Sequence, residues 1–325
     1  MFSPKLDMVA MDNHAACINR CSPSPEERSM GLLEWLLPKS IFNVSQAALL
    51  DNERVAQPEP EPEFRPALLV VDMQEDFCPP NGSLAVTDGR SITPLINTLL
   101  SSPSFVLRVA TKDWHPPNHI SFASNHDHTS STSSTSSSAV TCCPEPNTKA
   151  VPFVSTTTVT NPHNPSESYT TRLWPIHCVA GTPGASLIPE LDISKIDKVL
   201  EKGTDPRVEM YSAFYDPFTS PRVSDSGLAD LLKGANVTHV YVVGLAADYC
   251  VWSTAMDAHR EGFETVVVEE ATKPVDEEGW RKCKEALEKE AGKGVKVVRW
   301  EGEEVGRLFP GGVAPSGEEV EEEKV

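Results

Sequence analysis

The sequence predicts an α/β fold, an open parallel sheet with helices on both faces, plus a disordered N-terminal extension and a Ser/Thr-rich insertion. Three observations predict it. Short apolar runs recur along the chain, segments of helical composition separate several of them, and two abrupt changes of composition set off stretches that cannot build a core.

Residues 1–65 read as an extension, punctuated by Pro23, Pro25, Pro58, Pro60, Pro62 and Pro66. Its one amphipathic stretch, Met30–Leu37, suits either a short docking helix or an unstructured leader. From Ala67 the text changes. Ala67–Val71, closed by Asp72, is a continuous apolar run of the kind a parallel strand buried on both faces requires. Similar runs follow at Phe105–Ala110, Ile196–Leu200, His239–Leu245, Thr265–Val268 and Val295–Val298. Between them, Asp225–Gly234 opens on an acidic cap and closes on glycine, and Tyr249–Gly262 and Glu278–Gly292 carry helical composition. Strands alternating with helices give a parallel sheet whose ligand site lies at the carboxyl ends of the strands.

Residues 129–138 are all Ser or Thr, inside a low-complexity stretch that runs from 125 to 167. Such a stretch buries too little apolar surface to offset the entropy of ordering it, and a long loop costs little more than a short one. It reads as a disordered or loosely packed insertion, a plain linker rather than a phosphorylated regulatory segment. The folded domain is then 66–310, interrupted by 125–167 and followed by an acidic tail, 311–325.

With 47 acidic against 28 basic residues, the chain carries a formal charge of -19. That field repels phosphate backbones and argues against a nucleic-acid partner. No apolar stretch approaches the roughly 18 residues that span a bilayer, and no secretory pattern opens the chain. The eight cysteines therefore read as free thiols in a reducing compartment, and Cys17 with Cys21 lacks a second ligand pair for zinc. The expected location is intracellular, cytoplasmic first, with nucleus or peroxisome as alternatives, although the closing Glu323-Lys324-Val325 is not a Ser-Lys-Leu address. A homo-oligomer is left open.

Three strand ends deliver chemically pointed residues. Asp72 is either a structural cap or a functional carboxylate. Lys202, after Ile196–Leu200, is by itself an ordinary surface charge. Cys250 follows Val243-Gly244-Leu245-Ala246-Ala247-Asp248-Tyr249, where a strand turns sharply into a helix. A thiol there feels the positive end of the helix dipole, which favours thiolate over the reference pKa of roughly 8.5, and the backbone N–H groups of the turn offer an oxyanion hole. An inert buried cysteine is the alternative. Taken together the three propose a mechanism in which Cys250 attacks a carbonyl, Asp72 accepts the thiol proton and returns one to the leaving group, and Lys202 holds Asp72 and steadies the thiolate. A second cluster has metal character. Asp113 and His115, with His177 further on, supply one carboxylate and two imidazoles and leave open positions on a divalent cation. His14, His119, His126, His128, His163, His239 and His259 have ordinary structural or surface readings.

Four blocks, in order, resemble the eukaryotic-type nicotinamidases of the isochorismatase-like cysteine hydrolases: Val70–Phe77 with Gly82-Ser83-Leu84; Thr111–Pro116 with Asn118–Ala123; Trp174–Cys178; and Gly244–Cys250. The resemblance covers roughly 66–124 and 168–300 and implies the rest. Asp72, Lys202 and Cys250 become the catalytic set. Asp113, His115 and His177 become ligands of a divalent metal, zinc first, with Glu209 hydrogen-bonding a water on it. Phe77, Trp174, Tyr211 and Tyr249 become the walls for a flat ring. Leu245–Ala246 becomes a cis peptide beside the oxyanion hole. The implied reaction is hydrolysis of nicotinamide to nicotinate and ammonia through a cysteine thioester, within NAD salvage. Two alternatives stand beside it. One is a related metal-containing amidase acting on another small amide of the pyrazinamide kind. The other is an inactive member kept as a binding subunit, against which the complete triad and ligand set argue. The extension and the insertion match nothing in the family pattern.

Overall fold

In chain order, β1 (Pro66–Val71) and β2 (Leu107–Asp113) precede a hairpin of β3 (Thr156–Asn161) and β4 (Asn164–Arg172). Then come β5 (Lys198–Lys202), β6 (His239–Leu245), β7 (Glu264–Lys273) and β8 (Val295–Val298). The helices are α1 (Thr93–Leu100), α2 (Leu228–Gly234), α3 (Trp252–Arg260), α4 (Glu277–Glu290) and the short α5 (Glu303–Gly306). This computed structural model describes residues 63–126, 149–290 and 294–310. The Met30–Leu37 stretch, Cys17, Cys21, the Thr129–Ser138 run and the acidic tail lie outside the described residues.

The expected parallel sheet is present. β1, β2 and β5–β8 form one six-stranded sheet in the order β5-β2-β1-β6-β7-β8, every neighbouring pair parallel. All six residues of β1 are buried, which is why its sequence is apolar without alternation. Alternate side chains serve two cores. Leu68 and Val70 join Ile96, Leu99 and Leu100 of α1 on one face, while Leu69 and Val71 join Leu228 and Leu232 of α2 and Met256 of α3 on the other. Each fully buried aliphatic side chain contributes roughly 1.5–3 kcal/mol, so both layers hold the sheet. The chain leaves β1 for β2 on one side and returns through β6 on the other, so strand order reverses at β1/β6 and a crevice opens at their carboxyl ends.

At this centre the strands approach unusually closely. A Cβ built on Gly244 would sit 2.1 Å from the Val71 carbonyl oxygen, and Gly244 has φ +108. Only glycine satisfies both conditions. Two strands start and end later than their apolar runs predict. β2 runs to Asp113 and β5 to Lys202, so both residues lie within the sheet and pair in register with each other.

Three expectations are corrected. The reading of 125–167 as loosely packed fails over its described later part, where β3 and β4 pair antiparallel. Thr157, Val159 and Asn161 are buried on alternate positions, and Val159 packs with Val208 and Phe218. The repeated β-branched threonines are a strand pattern rather than a polar tract. The Glu167 carboxylate accepts hydrogen bonds from Thr219 N, Thr219 Oγ1, Ser220 N and Asn161 Nδ2, tying the hairpin to the body. The helix expected from Asp225 begins only at Leu228, because Asp225 accepts the Gly227 N–H and forms a turn ahead of it. The helix expected from Tyr249 opens as a wider π turn, Ala247–Val251, before α3. The short α1 was not expected at all, although Pro94 in its first turn and Ile92, Ile96, Leu99 and Leu100 at helical spacing mark it.

Candidate active site

The sheet order brings the ends of β5, β2, β1 and β6 side by side, and with them Lys202, Asp113, Asp72 and the turn to Cys250. Asp72 follows β1 at φ +49, a left-handed conformation that a non-glycine residue holds only when its surroundings fix it. Thr111 Oγ1 does so from both sides, donating to Asp72 Oδ1 at 2.6 Å and accepting the Asp72 N–H at 3.2 Å. Lys202 Nζ lies 2.9 Å from Asp72 Oδ2, 2.5 Å from Asp113 Oδ1 and 3.5 Å from Cys250 Sγ. Acceptor atoms of Asp72, Asp113 and Cys250 all fall within 4.8 Å of one another. The three sequence-assigned residues therefore meet, and one ammonium joins them to the first residue of the metal cluster.

Their charge states follow from burial. Burial opposes the Lys202 ammonium, but Asp113 and Asp72 outweigh it and keep the lysine charged well above its ordinary range. Burial also works against the Asp113 carboxylate, which Lys202 and then His115 hold well below the usual carboxylate range. For Asp72 burial wins over Lys202, and its pKa is raised. Burial pushes the Cys250 thiol well above its ordinary value despite Lys202, so the helix-dipole expectation of a resting thiolate is corrected: the thiol is 6% exposed and its turn is a wide one.

The donor set of Asp113, His115 and His177 fits a metal ion. His115 Nδ1 bonds the Gly203 carbonyl at 2.8 Å and His177 Nδ1 bonds the Pro175 carbonyl at 2.8 Å. A carbonyl only accepts, so both rings carry a proton on Nδ1 and turn Nε2 toward Asp113. Those Nε2 atoms lie 3.4 and 4.0 Å from Asp113 Oδ2. His115 Nε2 is buried without a well-formed hydrogen bond, as an atom meant for a cation would be. Burial, then His115, pulls His177 down to about 4, so it is neutral and able to ligate at physiological pH. Glu209 and His119 offer donor atoms beside His115, and burial raises the Glu209 carboxyl against the pull of His115. Gly203 makes the cradle. A Cβ there would lie 2.5 Å from His115 Cε1, at φ +64. Gly203→Ala is expected to displace the His115 ring and weaken divalent-metal binding at least about 10-fold, read as metal content after dialysis against a series of metal buffers.

All four expected ring-binding residues line one cleft with Asp113, His177, Glu209, Ala246 and Cys250. The Tyr211 hydroxyl accepts the Trp174 Nε1–H at 2.9 Å and bonds Thr171 Oγ1 of β4 at 3.0 Å. Trp174 and Tyr249 stand edge to face at 5.0 Å, and Phe77 leans on His177 at 5.5 Å. The hairpin thus runs directly into the aromatic wall. The Leu245–Ala246 peptide is cis; Ala246 faces the cleft while Leu245 lies in the core beneath it.

The Isochorismatase domain family matches residues 120–301. The nicotinamidase of Acinetobacter baylyi is 38% identical over 213 residues, 66% of this chain and 83% of that protein. The chain belongs to the isochorismatase family. Among solved family structures, the yeast nicotinamidase Pnc1p bound to the inhibitor nicotinaldehyde is 32% identical, with a TM-score of 0.61 over 72% of this chain and 99% of that one. PnC1 from L. infantum, in complex with nicotinate, is 31% identical, with a TM-score of 0.53 over 73% and 96%.

Sequence reasoning missed several residues around this isochorismatase-family site. Gln74 holds both backbone groups of Asp113, donating Nε2–H to its carbonyl at 2.9 Å and accepting its N–H on Oε1 at 2.8 Å. Asp76 Oδ2 accepts the Cys178 N–H at 2.7 Å, fixing the loop that carries His177. His119, read as an ordinary histidine, is fully buried and stacks on His115 at 4.0 Å. Leu84, Val86 and Val275 complete the cleft wall. The position of Gln74 and Asp76, two and four residues after Asp72, was the available signal for those two; Val275 carried none. Of the other cysteines, Cys78, Cys178 and Cys283 are free thiols. Among the described residues no helix is long and apolar enough to cross a membrane.

Proposed function

We propose that this chain hydrolyses nicotinamide to nicotinate and ammonia through a thioester on Cys250, in the salvage of NAD. The observation that carries the reading is the Lys202 ammonium, which touches Asp72, Asp113 and Cys250 at once and so joins a buried base to the nucleophile and to Asp113, while Cys250, Asp113 and His177 line one aromatic-walled cleft. Family members that carry the name nicotinamidase support the substrate.

On this reading the Cys250 thiol gives its proton to Asp72 and the sulfur adds to the amide carbon. N–H groups of the Ala246–Cys250 turn other than that of Tyr249, which donates to the Ala246 carbonyl, would serve the developing oxyanion, and the Lys202 charge steadies the sulfur before attack. Protonated Asp72 passes its proton to the leaving nitrogen, the C–N bond breaks and ammonia departs. A water then adds to the thioester with Asp72 taking its proton, the C–S bond breaks, nicotinate leaves and the sulfur recovers the proton. Trp174, Tyr211, Tyr249 and Phe77 sandwich the ring and keep bulk water out. Asp113, His115 and His177 would hold a divalent ion, and a set of two imidazoles with one carboxylate favours zinc. When bound, the ion would supply Lewis acidity suited to a pyridine nitrogen, which favours a pyridine amide as substrate.

Ammonia release from nicotinamide by the full chain tests this. Turnover is expected with zinc present, a fall of at least about 10-fold after chelation, and recovery on zinc addition. A metal-loaded protein that hydrolyses other small amides but not nicotinamide would overturn the substrate, and one that hydrolyses none would overturn the reaction.

A further inference from the structure

We propose that Asp248 is a positioning residue that sets the mouth of the substrate cleft, by clamping Val275 onto the turn that carries Cys250. The inference rests on the amide-hydrolase reading of that cleft. Asp248 lies two residues before Cys250 in the π turn and is 3% exposed. Its carboxylate takes two consecutive backbone N–H groups from the segment between β7 and α4: Oδ1 accepts from Val275 at 2.8 Å and Oδ2 from Asp276 at 3.0 Å.

Val275 lines the cleft and is also 37% exposed, so it stands at the rim, where side-chain packing alone holds it weakly. What fixes its backbone is the pair of charge-assisted bonds to Asp248, each stronger than a neutral one. The clamp continues outward. Asp276 Oδ2 accepts the Gly279 N–H at 2.8 Å and the Asp276 carbonyl accepts the Trp280 N–H at 3.0 Å, so the same segment starts α4, whose Trp280 is anchored in the core. On the inner side, β7 pairs with β6 up to Leu245–Lys273. One buried carboxylate therefore joins the nucleophile turn, the rim of the cleft and the first turn of α4. Releasing it frees the rim and leaves the Lys202 contacts to Asp72, Asp113 and Cys250 in place. The consequence belongs to binding rather than to bond breaking.

Asp248→Asn keeps the size of the side chain but offers one acceptor oxygen where two N–H groups need one each. It is expected to raise KM for nicotinamide at least about fivefold while kcat stays within about twofold. Val275→Ala, which leaves the buried clamp intact and removes only the rim side chain, is expected to raise KM in the same direction. The double variant should be no worse than the worse single one, because both act through one wall. Hydrogen exchange at the Val275 and Asp276 amides should accelerate at least about 10-fold in Asp248→Asn without a matching change across β1 and β6. A drop in kcat at unchanged KM, KM effects that multiply in the double variant, or unchanged exchange at both amides would overturn the clamp. A wild-type protein that neither binds nor hydrolyses nicotinamide would overturn the substrate reading instead, and the exchange measurement would still decide the clamp.

Discussion

Cys250→Ala is expected to lower the rate of ammonia release from nicotinamide by at least about 10⁴-fold while leaving the fold and the bound metal in place. The expectation rests on where the sulfur sits. Cys250 lines the cleft, and its Sγ lies 3.5 Å from Lys202 Nζ. No other described cysteine lines that cleft: Cys78 and Cys178 are buried in the core cluster of Leu68 and Val70, and Cys283 sits behind the nucleophile turn with its Sγ 3.9 Å from the Asp248 carbonyl. No other described thiol can therefore take over covalent attack. The loss should fall on kcat, with nicotinamide and nicotinate still binding, because the aromatic walls and the metal cluster are untouched. Removal of one sulfur from a group that is 6% exposed costs about 1 kcal/mol, so circular dichroism and metal content should match the wild type. The check is a single-turnover assay with acid quench, which traps a thioester in the wild type and none in the variant. A variant that releases ammonia at the wild-type rate would remove Cys250 from the reaction.

Much of the fold was legible because burial leaves a plain trace. β1 and β6 are covered on both faces, so Ala67–Val71 and His239–Leu245 read as unbroken apolar runs. β2 and β5 were misplaced by two or three residues because their last residues, Thr111-Lys112-Asp113 and Glu201-Lys202, are polar. Those polar ends carry the site, so function and strand pattern compete there for the same positions. The hairpin was lost for the opposite reason: threonine repeats look like low complexity until Val159 and Tyr169 are seen to pack on Phe218. Within the site, Asp72, Lys202 and Cys250 stood out as reactive side chains at strand ends. The Lys202–Asp113 contact did not, because it depends on the register between β2 and β5 and no local pattern encodes register. Gln74 and Asp248 act on backbone groups, and a residue that works through another residue's backbone leaves no chemical signature of its own in sequence.

Lys202→Met is expected to cost about 3–5 kcal/mol of stability as well as the activity. Lys202 is 2% exposed and pairs with two carboxylates that are themselves 0% and 4% exposed, Asp72 and Asp113. Methionine fills nearly the same space, so the loss is electrostatic: two buried acids are left facing each other without the cation between them. The pH dependence gives the sign. Burial already raises the Asp72 pKa against Lys202, and with the lysine gone nothing of comparable strength opposes it, while Asp113 loses the first of the charges that hold it low. A carboxyl whose folded pKa lies above its unfolded value contributes stability below the unfolded value and loses it as pH rises through the folded one. The stability deficit of Lys202→Met should therefore be smaller at pH 5, where Asp72 can hold its proton, and larger at pH 8. Urea unfolding of the metal-free wild type and variant at both pH values measures it. A deficit of this size corresponds to a melting point about 10 °C lower at neutral pH for a domain this large. Equal deficits at pH 5 and pH 8 would mean that Lys202 holds the site by packing rather than by charge, and the shared ammonium would no longer account for the joining of nucleophile, base and metal cluster.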